Sequence, residues 1–330
     1  MRVLITGTAG FVGHYIVEKI IKDTDWNIVG LERLSYSGNL ERLSYIDGIQ
    51  DRYTSIHHNL QSPIGDMLQK QIGQVDYIIH VAANSHVDRS IEDPLSFVMD
   101  NVVGTCNILN FARTLPDLKC FLYFSTDEVF GPAPENVKYD EYDRYNSTNP
   151  YSATKAGGEE LAVAFRNTYG IPVVVTHTMN VFGNMQHPEK FIPKCIRMIN
   201  NDECIHIHSD ETRTVPGSRH YIHGEDVADG VLFILKNIDA TPKKDTLCPK
   251  FNLVGPEEVN NLELAKMISS IMNKPLNYEL VDFHSSRPGH DLRYAISGDR
   301  LAKLGWVPKA SLCQRISEVV EWTLKNTKWN

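Results

Sequence analysis

Apolar and polar stretches follow each other along the first half of the chain in a steady rhythm. Residues 2–6, RVLIT, form a short β-type run. The glycine-rich segment GTAGFVG follows, then a stretch with helical spacing, VGHYIVEKIIK (12–22), and a second apolar run, NIVGLE, ending at Glu32. QVDYIIHVAA (74–83), KCFLYFST (119–126) and IPVVVTHTMNVFG (171–183) read as further strands, and FVMDNVVGTCNILNFAR (97–113) as a helix. Strands this apolar are covered on both faces. The pattern predicts an α/β fold: a Rossmann-type parallel sheet with helices on both sides. Ligands of such sheets sit at the carboxyl ends of the strands.

After residue 183 the alternation blurs. EKFIPKCIRMI (189–199), EEVNNLELAKMISSIM (257–272) and QRISEVVEWTLKN (314–326) read as helices, with Met267 and Met272 in a core. GEDVADGVLFILKN (224–237) reads as a helix returning to the first unit. The predicted organisation is a cofactor domain over 1–183, rejoined by 224–250, and a smaller C-terminal substrate-binding domain over 184–223 and 251–330. The 330 residues suffice for both cores. A net charge of -8 argues against general nucleic-acid binding. The six cysteines form no CxxC pair and are expected to be reduced. No signal peptide or membrane span is visible, so a cytoplasmic chain without membrane or nucleic-acid partners is expected.

Gly7, Gly10 and Gly13 stand between a strand and a helix. They allow a tight turn and close approach of a pyrophosphate, with Phe11 and Val12 opening a helix whose free N–H groups hold it. Glu32, after the second strand, suits the adenosine ribose hydroxyls. It would repel a 2'-phosphate, so NAD is expected, although the neighbouring Arg33 is a group that can meet such a phosphate. Ala82 is small enough for a cofactor to lie over the strand end. Tyr151 and Lys155 in NPYSATKAGGEE share one helix face if Pro150 starts a helix. The ammonium is expected to lower the phenol's pKa, so that Tyr151 takes a hydroxyl proton as carbon loses hydride. Asp127 and Glu128, in FSTDEVFG, exceed what alcohol oxidation needs. A proton donor and a proton acceptor beside a new ketone suit an elimination.

TGTAGFVG, LERLSYSGNLERL, HVAANSHVDRSI, FSTDEVFG, NPYSATKAG, MNVFGNMQHPEKFIP and RPGHDLRYAI together resemble the nucleotide-sugar 4,6-dehydratases, within the extended short-chain dehydrogenase/reductase superfamily. The resemblance implies an NDP-hexose substrate, dTDP- or UDP-glucose, and an NDP-4-keto-6-deoxy sugar product. It implies Tyr151 as base at C4, helped by Thr126 and Lys155, Glu128 as base at C5, and Asp127 as acid at the C6 hydroxyl. It places Asn59 and Leu60 near the adenine. His86, Arg89, Asn180, Glu189, Lys190, Arg219, Arg287 and His290 fall near the sugar, diphosphate or base. It also implies a homodimer joined through the helices 97–113 and 152–168.

The chain departs from that pattern in four places. His177 stands where Arg is usual, His58-Asn59-Leu60 where Gly-Asp-Ile is usual, Glu32 where Asp is common, and 206–226 has a longer turn. His206, His208, His220 and His223 in that last segment suggest a metal, but no second ligand spacing supports one, and none is expected. A nucleotide-sugar 4-epimerase would share the glycine turn, Thr126, Tyr151 and Lys155, but would not need Asp127 and Glu128. A UDP-glucuronate decarboxylase would call for an extra basic residue. A non-catalytic NAD-binding protein is the alternative of another class, and the intact catalytic set argues against it.

Overall fold

The computed structural model describes residues 1–282 and 292–329. In chain order the strands are β1 (Arg2–Thr6), β2 (Asn27–Glu32), β3 (Tyr53–His57), β4 (Tyr77–His80), β5 (Cys120–Thr126), β6 (Val173–Thr178), β7 (Asn180–Phe182), β8 (Ile205–Ser209), β9 (Ser218–His223), β10 (Lys250–Leu253), β11 (Glu258–Asn260) and β12 (Tyr278–Asp282). Seven of them make an all-parallel sheet in the order β10-β6-β5-β4-β1-β2-β3. The chain winds outward from β1 in one direction through β2 and β3, and in the other from β4. The reversal between β1 and β4 opens a crevice at their carboxyl ends.

Alternation within each apolar run divides the core. On β5, Leu122 and Phe124 join one cluster while Phe121 and Tyr123 join the other. The first cluster is closed by the helices Phe11–Asp23 and Gly224–Asn237, which pack on each other. Leu301 and Trp306, far along the chain, seal the same side. The second is closed by Gly104–Ala112 and Pro150–Tyr169. A third core, built on Ile192, Ile196, Ile207, Tyr221, Leu264, Ile268, Ile316 and Val320, holds the smaller unit. There β11-β9-β7 form one sheet and β12 pairs with β8 in another. Among the described residues no helix is long and apolar enough to cross a membrane.

Three predicted elements come out differently. The helix expected over 97–113 has a π-helical stretch, Val98–Val103, before its regular part. Within it Asn101 meets both backbone groups of Asn84, at 2.8 and 3.0 Å, and donates to Thr154 Oγ1 at 3.0 Å. The widened turn thus serves side-chain bonding to the cleft loop, which periodicity does not report. The helix expected over 257–272 begins only at Asn261, because Glu258–Asn260 pair with β9 and Asn260 caps the helix through Glu263 N. The strand expected over 74–83 spans Tyr77–His80, and the residues after it line the cleft.

Candidate active site

The glycine turn has the shape a dinucleotide needs. Gly7 adopts φ +80°, and a Cβ there would stand 3.0 Å from the Ala82 backbone; a Cβ on Gly13 would lie 1.9 Å from Gly7 O. The turn therefore packs directly against the end of β4 and against itself. The helix that follows starts at Phe11 with no side-chain cap, so its first N–H groups remain open to an anion. Gly7, Gly10, Phe11, Val12, Gly13, Glu32, Asn59, Leu60 and Ala82 all line one cleft. Glu32 Oε1 accepts from Ala9 N at 2.6 Å and Thr8 Oγ1 at 3.0 Å, tying the end of β2 to the glycine turn. Burial raises its pKa, and those two donors oppose the rise. Arg33 is engaged elsewhere: it grips Asp100 with two bonds, at 2.5 and 2.8 Å. Asn59 Oδ1 accepts from Gln61 N at 3.1 Å and weakly from Arg33 at 3.4 Å.

The same cleft holds Thr126, Asp127, Glu128, Tyr151 and Lys155. Thr126 ends β5, and Asp127–Phe130 make one 3₁₀ turn capped by Thr126 Oγ1, which accepts from Glu128 N at 3.4 Å. Thr126 Oγ1 also donates to Asp127 Oδ1 at 3.1 Å. The two carboxyls face unlike surroundings. Asp127 is buried, and burial, then the charge of Glu128, push its pKa up to about 7 against the pull of Arg219. Glu128 is only partly buried and accepts from Asn149 Nδ2 at 3.3 Å.

Asn149 caps the helix Pro150–Tyr169 by accepting from Ser152 N at 2.9 Å, with Pro150 in its first turn. That helix presents Tyr151, Lys155 and Glu159 along one side. Ser90 Oγ accepts from Tyr151 N at 3.1 Å and fixes the start. The expected lowering of the phenol's pKa does not hold for the chain alone. Burial, then Glu128, raise it, and a hydrogen bond with Thr126 opposes the rise. The physical reason is where Lys155 points: its Nζ donates to Phe124 O at 2.5 Å and sits 4.4 Å over the Tyr123 ring. Burial pulls the Lys155 pKa down to about 7, against the Glu159 charge.

Beneath lies a buried ion cluster that the sequence reading missed. Glu159, fully buried, receives Lys250 Nζ at 2.8 Å, His177 Nε2 at 3.2 Å and the Tyr145 hydroxyl. His177 Nδ1 meets Asn252 Oδ1 at 2.9 Å, while Asn252 Nδ2 donates to Ser297 O at 2.9 Å and Tyr139 O at 3.4 Å. The His177 ring thus bridges the Asn252 amide oxygen and the Glu159 carboxylate. His177, standing where Arg is usual, takes its place against Glu159 in this fold. One signal for Glu159 was available: it follows Lys155 at the interval that separates Lys155 from Tyr151.

His86, Asn180, Lys190 and Arg219 also line the cleft; Arg89 and Glu189 do not. The Arg89 guanidinium stacks 3.5 Å over the Tyr36 ring, and Glu189, half exposed, accepts from Tyr36 Oη at 3.2 Å. His86 Nε2 lies 3.8 Å from the same carboxylate, and its Nδ1 is buried without a partner among the described residues. Arg219 donates to Ser218 O and Leu292 O, both at 2.7 Å, and faces the Tyr294 ring. Arg287 and His290 lie outside the described residues. In the divergent segment His206 and His208 do share a strand, but among the described residues no group of three His, Cys, Asp or Glu side chains could hold a metal.

Comparison with known proteins agrees with this geometry. The profile of the NAD dependent epimerase/dehydratase family matches residues 3–253. A dTDP-glucose 4,6-dehydratase of Escherichia coli is 34% identical over 352 residues, spanning 100% of this chain and 94% of that protein. The fold superposes on the dTDP-glucose 4,6-dehydratase DesIV of Streptomyces venezuelae, solved with NAD bound, with a TM-score of 0.86 at 29% identity over 100% of this chain and 98% of the other. A Bacillus anthracis dTDP-glucose 4,6-dehydratase, also solved with NAD, gives 0.85 at 28% identity, with the same coverage of both chains. The UDP-glucose 4-epimerase of Thermus thermophilus, at 24% identity and a TM-score of 0.84 over 98% of each chain, shares the fold. With its glycine turn, strand-end acids and Tyr–Lys helix in one cleft, this chain belongs to the NAD dependent epimerase/dehydratase family.

Proposed function

We propose that the chain is an NDP-glucose 4,6-dehydratase acting on dTDP-glucose, with UDP-glucose as the second candidate, through NAD. The observation that carries the reading is the pair at the end of β5: Asp127, buried with its carboxyl pushed up to about 7, beside the less buried Glu128. An epimerase has no use for such an acid and base. Gly7, Gly10 and Gly13 with the Phe11–Val12 helix start would hold the pyrophosphate, Glu32 the ribose, and Asn59, Leu60 and Ala82 the remaining face. With Arg33 bound to Asp100, Glu32 is the charge that would meet the ribose, which favours NAD over NADP. When bound, NAD supplies a hydride acceptor at C4 and a hydride donor at C6.

The chain's own groups then move protons. Tyr151 takes the C4 hydroxyl proton, with Thr126 holding its phenol and Lys155 supplying positive charge. The resulting C4 ketone makes the C5 proton acidic. Glu128 removes that proton while Asp127 gives its own to the C6 hydroxyl, which leaves as water. His86, Asn180, Lys190 and Arg219 are positioned to bind the sugar and diphosphate. Arg89 and Glu189 are assigned to the rim. A homodimer through the 98–112 and 150–169 helices completes the reading, and light scattering at twice the chain mass would support it.

The test is a panel of dTDP-, UDP-, GDP- and CDP-glucose with product mass as readout. Loss of one water supports the reading, and an unchanged mass points to epimerisation instead. Tyr151→Phe removes the base at C4 and should lower kcat by about 10²–10⁴-fold with cofactor still bound; a rate near wild type removes Tyr151 from the chemistry. The pH profile follows from Asp127. Its acid form is present below about 7 and is lost as pH rises through that value, so dehydration should slow on the alkaline side. Asp127→Asn, an amide that cannot titrate, should make that limb shallower and leave the part set by loss of the Lys155 charge; an unchanged limb would assign it to groups other than Asp127.

A further inference from the structure

Among the described residues Arg42 is a buried cation with no anionic partner. It sits in the single helical turn Glu41–Ser44, is 2% exposed, and among the described residues no carboxylate lies within 4 Å of it. Its guanidinium is satisfied by main-chain oxygens from three separate segments. Nη1 donates to Ala9 O at 2.9 Å and to Ser37 O at 2.8 Å, and Nε donates to Met185 O at 3.1 Å. Ala9 belongs to the glycine turn, Ser37 to the loop after β2, and Met185 to the loop after β7. Arg42 and Ser37 line the cleft, as do Gly10 and Gln186, the residues next to Ala9 and Met185. Ala9 is therefore held on both sides, its N–H by Glu32 and its carbonyl by Arg42.

The far end of the chain closes over this group. The Trp329 ring, almost fully buried, packs 5.3 Å from Arg42 Cζ. Lys328 next to it pairs with Glu41 and lies over the Tyr45 ring, and Trp322 meets the same tyrosine edge-on. The helix Leu312–Lys325 that carries this last turn is rooted in the third core, with Ile316 and Val320. Trp329 does not line the cleft. Of these contacts between the smaller unit and the cofactor loops, Trp329 on Arg42 is the one that reaches a residue lining the cleft.

We propose that Arg42 is a positioning residue for the dinucleotide, stapling the three cleft loops, and that the C-terminal turn holds it in place through Trp329. A planar fork can bridge carbonyls from three directions, and a lysine ammonium on a flexible stem cannot reproduce that arrangement. The ring covers the guanidinium and supplies a cation–π contact where water would otherwise compete for its donors. The proposal rests on reading the cleft as a dinucleotide site.

The test is NAD binding to the full chain without nucleotide sugar, by titration calorimetry, with melting temperatures taken with and without NAD. Arg42→Lys should raise the Kd for NAD about tenfold. Trp329→Ala should raise it about fivefold, and Trp329→Phe should restore it to within about twofold of wild type. The stabilisation gained on adding NAD should shrink in step. A merely structural role would lower the melting temperature of the free protein in Trp329→Ala and leave Kd unchanged; that outcome overturns the proposal. Unchanged Kd in both Arg42→Lys and Trp329→Ala overturns it as well. A wild-type chain that binds no NAD overturns the proposal together with the cofactor reading. Binding without any dehydration overturns only the assigned reaction.

Discussion

Glu128→Gln should remove nearly all turnover, by about 10²–10⁴-fold, and should do so at one identifiable step. Glutamine keeps the shape and can still meet Asn149, the neighbour that orients Glu128 at 3.3 Å. What it lacks is a basic oxygen for the C5 proton. In deuterated water the wild-type chain should place deuterium at C5 of recovered sugar, and Glu128→Gln should not. Asp127→Asn offers the contrast. It leaves the base in place, so exchange at C5 should continue while release of water slows. The two variants separate because the two carboxyls sit in different environments, one buried with its pKa pushed up to about 7, the other half open. If Glu128→Gln still exchanged deuterium at the wild-type rate, the base would have to be another group.

The second large effect concerns stability. Glu159→Gln should cost about 3–5 kcal/mol of folding free energy, because it strands the charge of Lys250 in a buried site and leaves the His177 ring with no carboxylate to meet it. The loss should also carry a pH signature. Burial pushes the Glu159 carboxyl up, but His177 and Lys250 outweigh it and hold it below its ordinary 4.5 in the folded chain. A depressed carboxyl contributes stability above the unfolded value, and that contribution disappears as pH falls from about 4.5 toward the folded value. Wild type should therefore lose stability through this range, and Glu159→Gln should show a flatter acid limb, the difference between them narrowing as pH falls. Urea unfolding at a series of pH values measures both. A cost under about 1 kcal/mol at neutral pH would mean that the cluster relaxes to admit water.

Under the proposed mechanism the cluster also bears on catalysis. Glu159 lies one helical turn beyond Lys155 and opposes the fall in the lysine's pKa. Its partners come from β6, β10 and the loop before Pro150, so the charge state of Lys155 depends on segments distant in sequence. His177 shows how a departure from the expected Arg can be accommodated. The two ring nitrogens reach Asn252 and Glu159 at once, so a shorter side chain spans the same two partners.

The order of elements was legible because it depends on short-range pattern. Apolar runs such as 121–124, the glycines at 7, 10 and 13, and the Asn149–Pro150 start of a helix act within a few residues, through backbone sterics and capping. The same holds for the candidate acids: Asp127 and Glu128 are neighbours in the chain, so their meeting required no fold to predict. What the sequence determined by itself was the parallel sheet, the glycine turn and the side chains it offers as candidates for the reaction. Only the tertiary structure decided what surrounds them: that Arg33 answers to Asp100, that Lys155 turns to Phe124 O and the Tyr123 ring, that Arg89 and Glu189 stand outside the cleft, and that Trp329 covers Arg42. The physical reason is that burial and charge pairing are set by residues brought from far along the chain, and desolvation, which shifts the titrating groups most, exists only once those residues have packed.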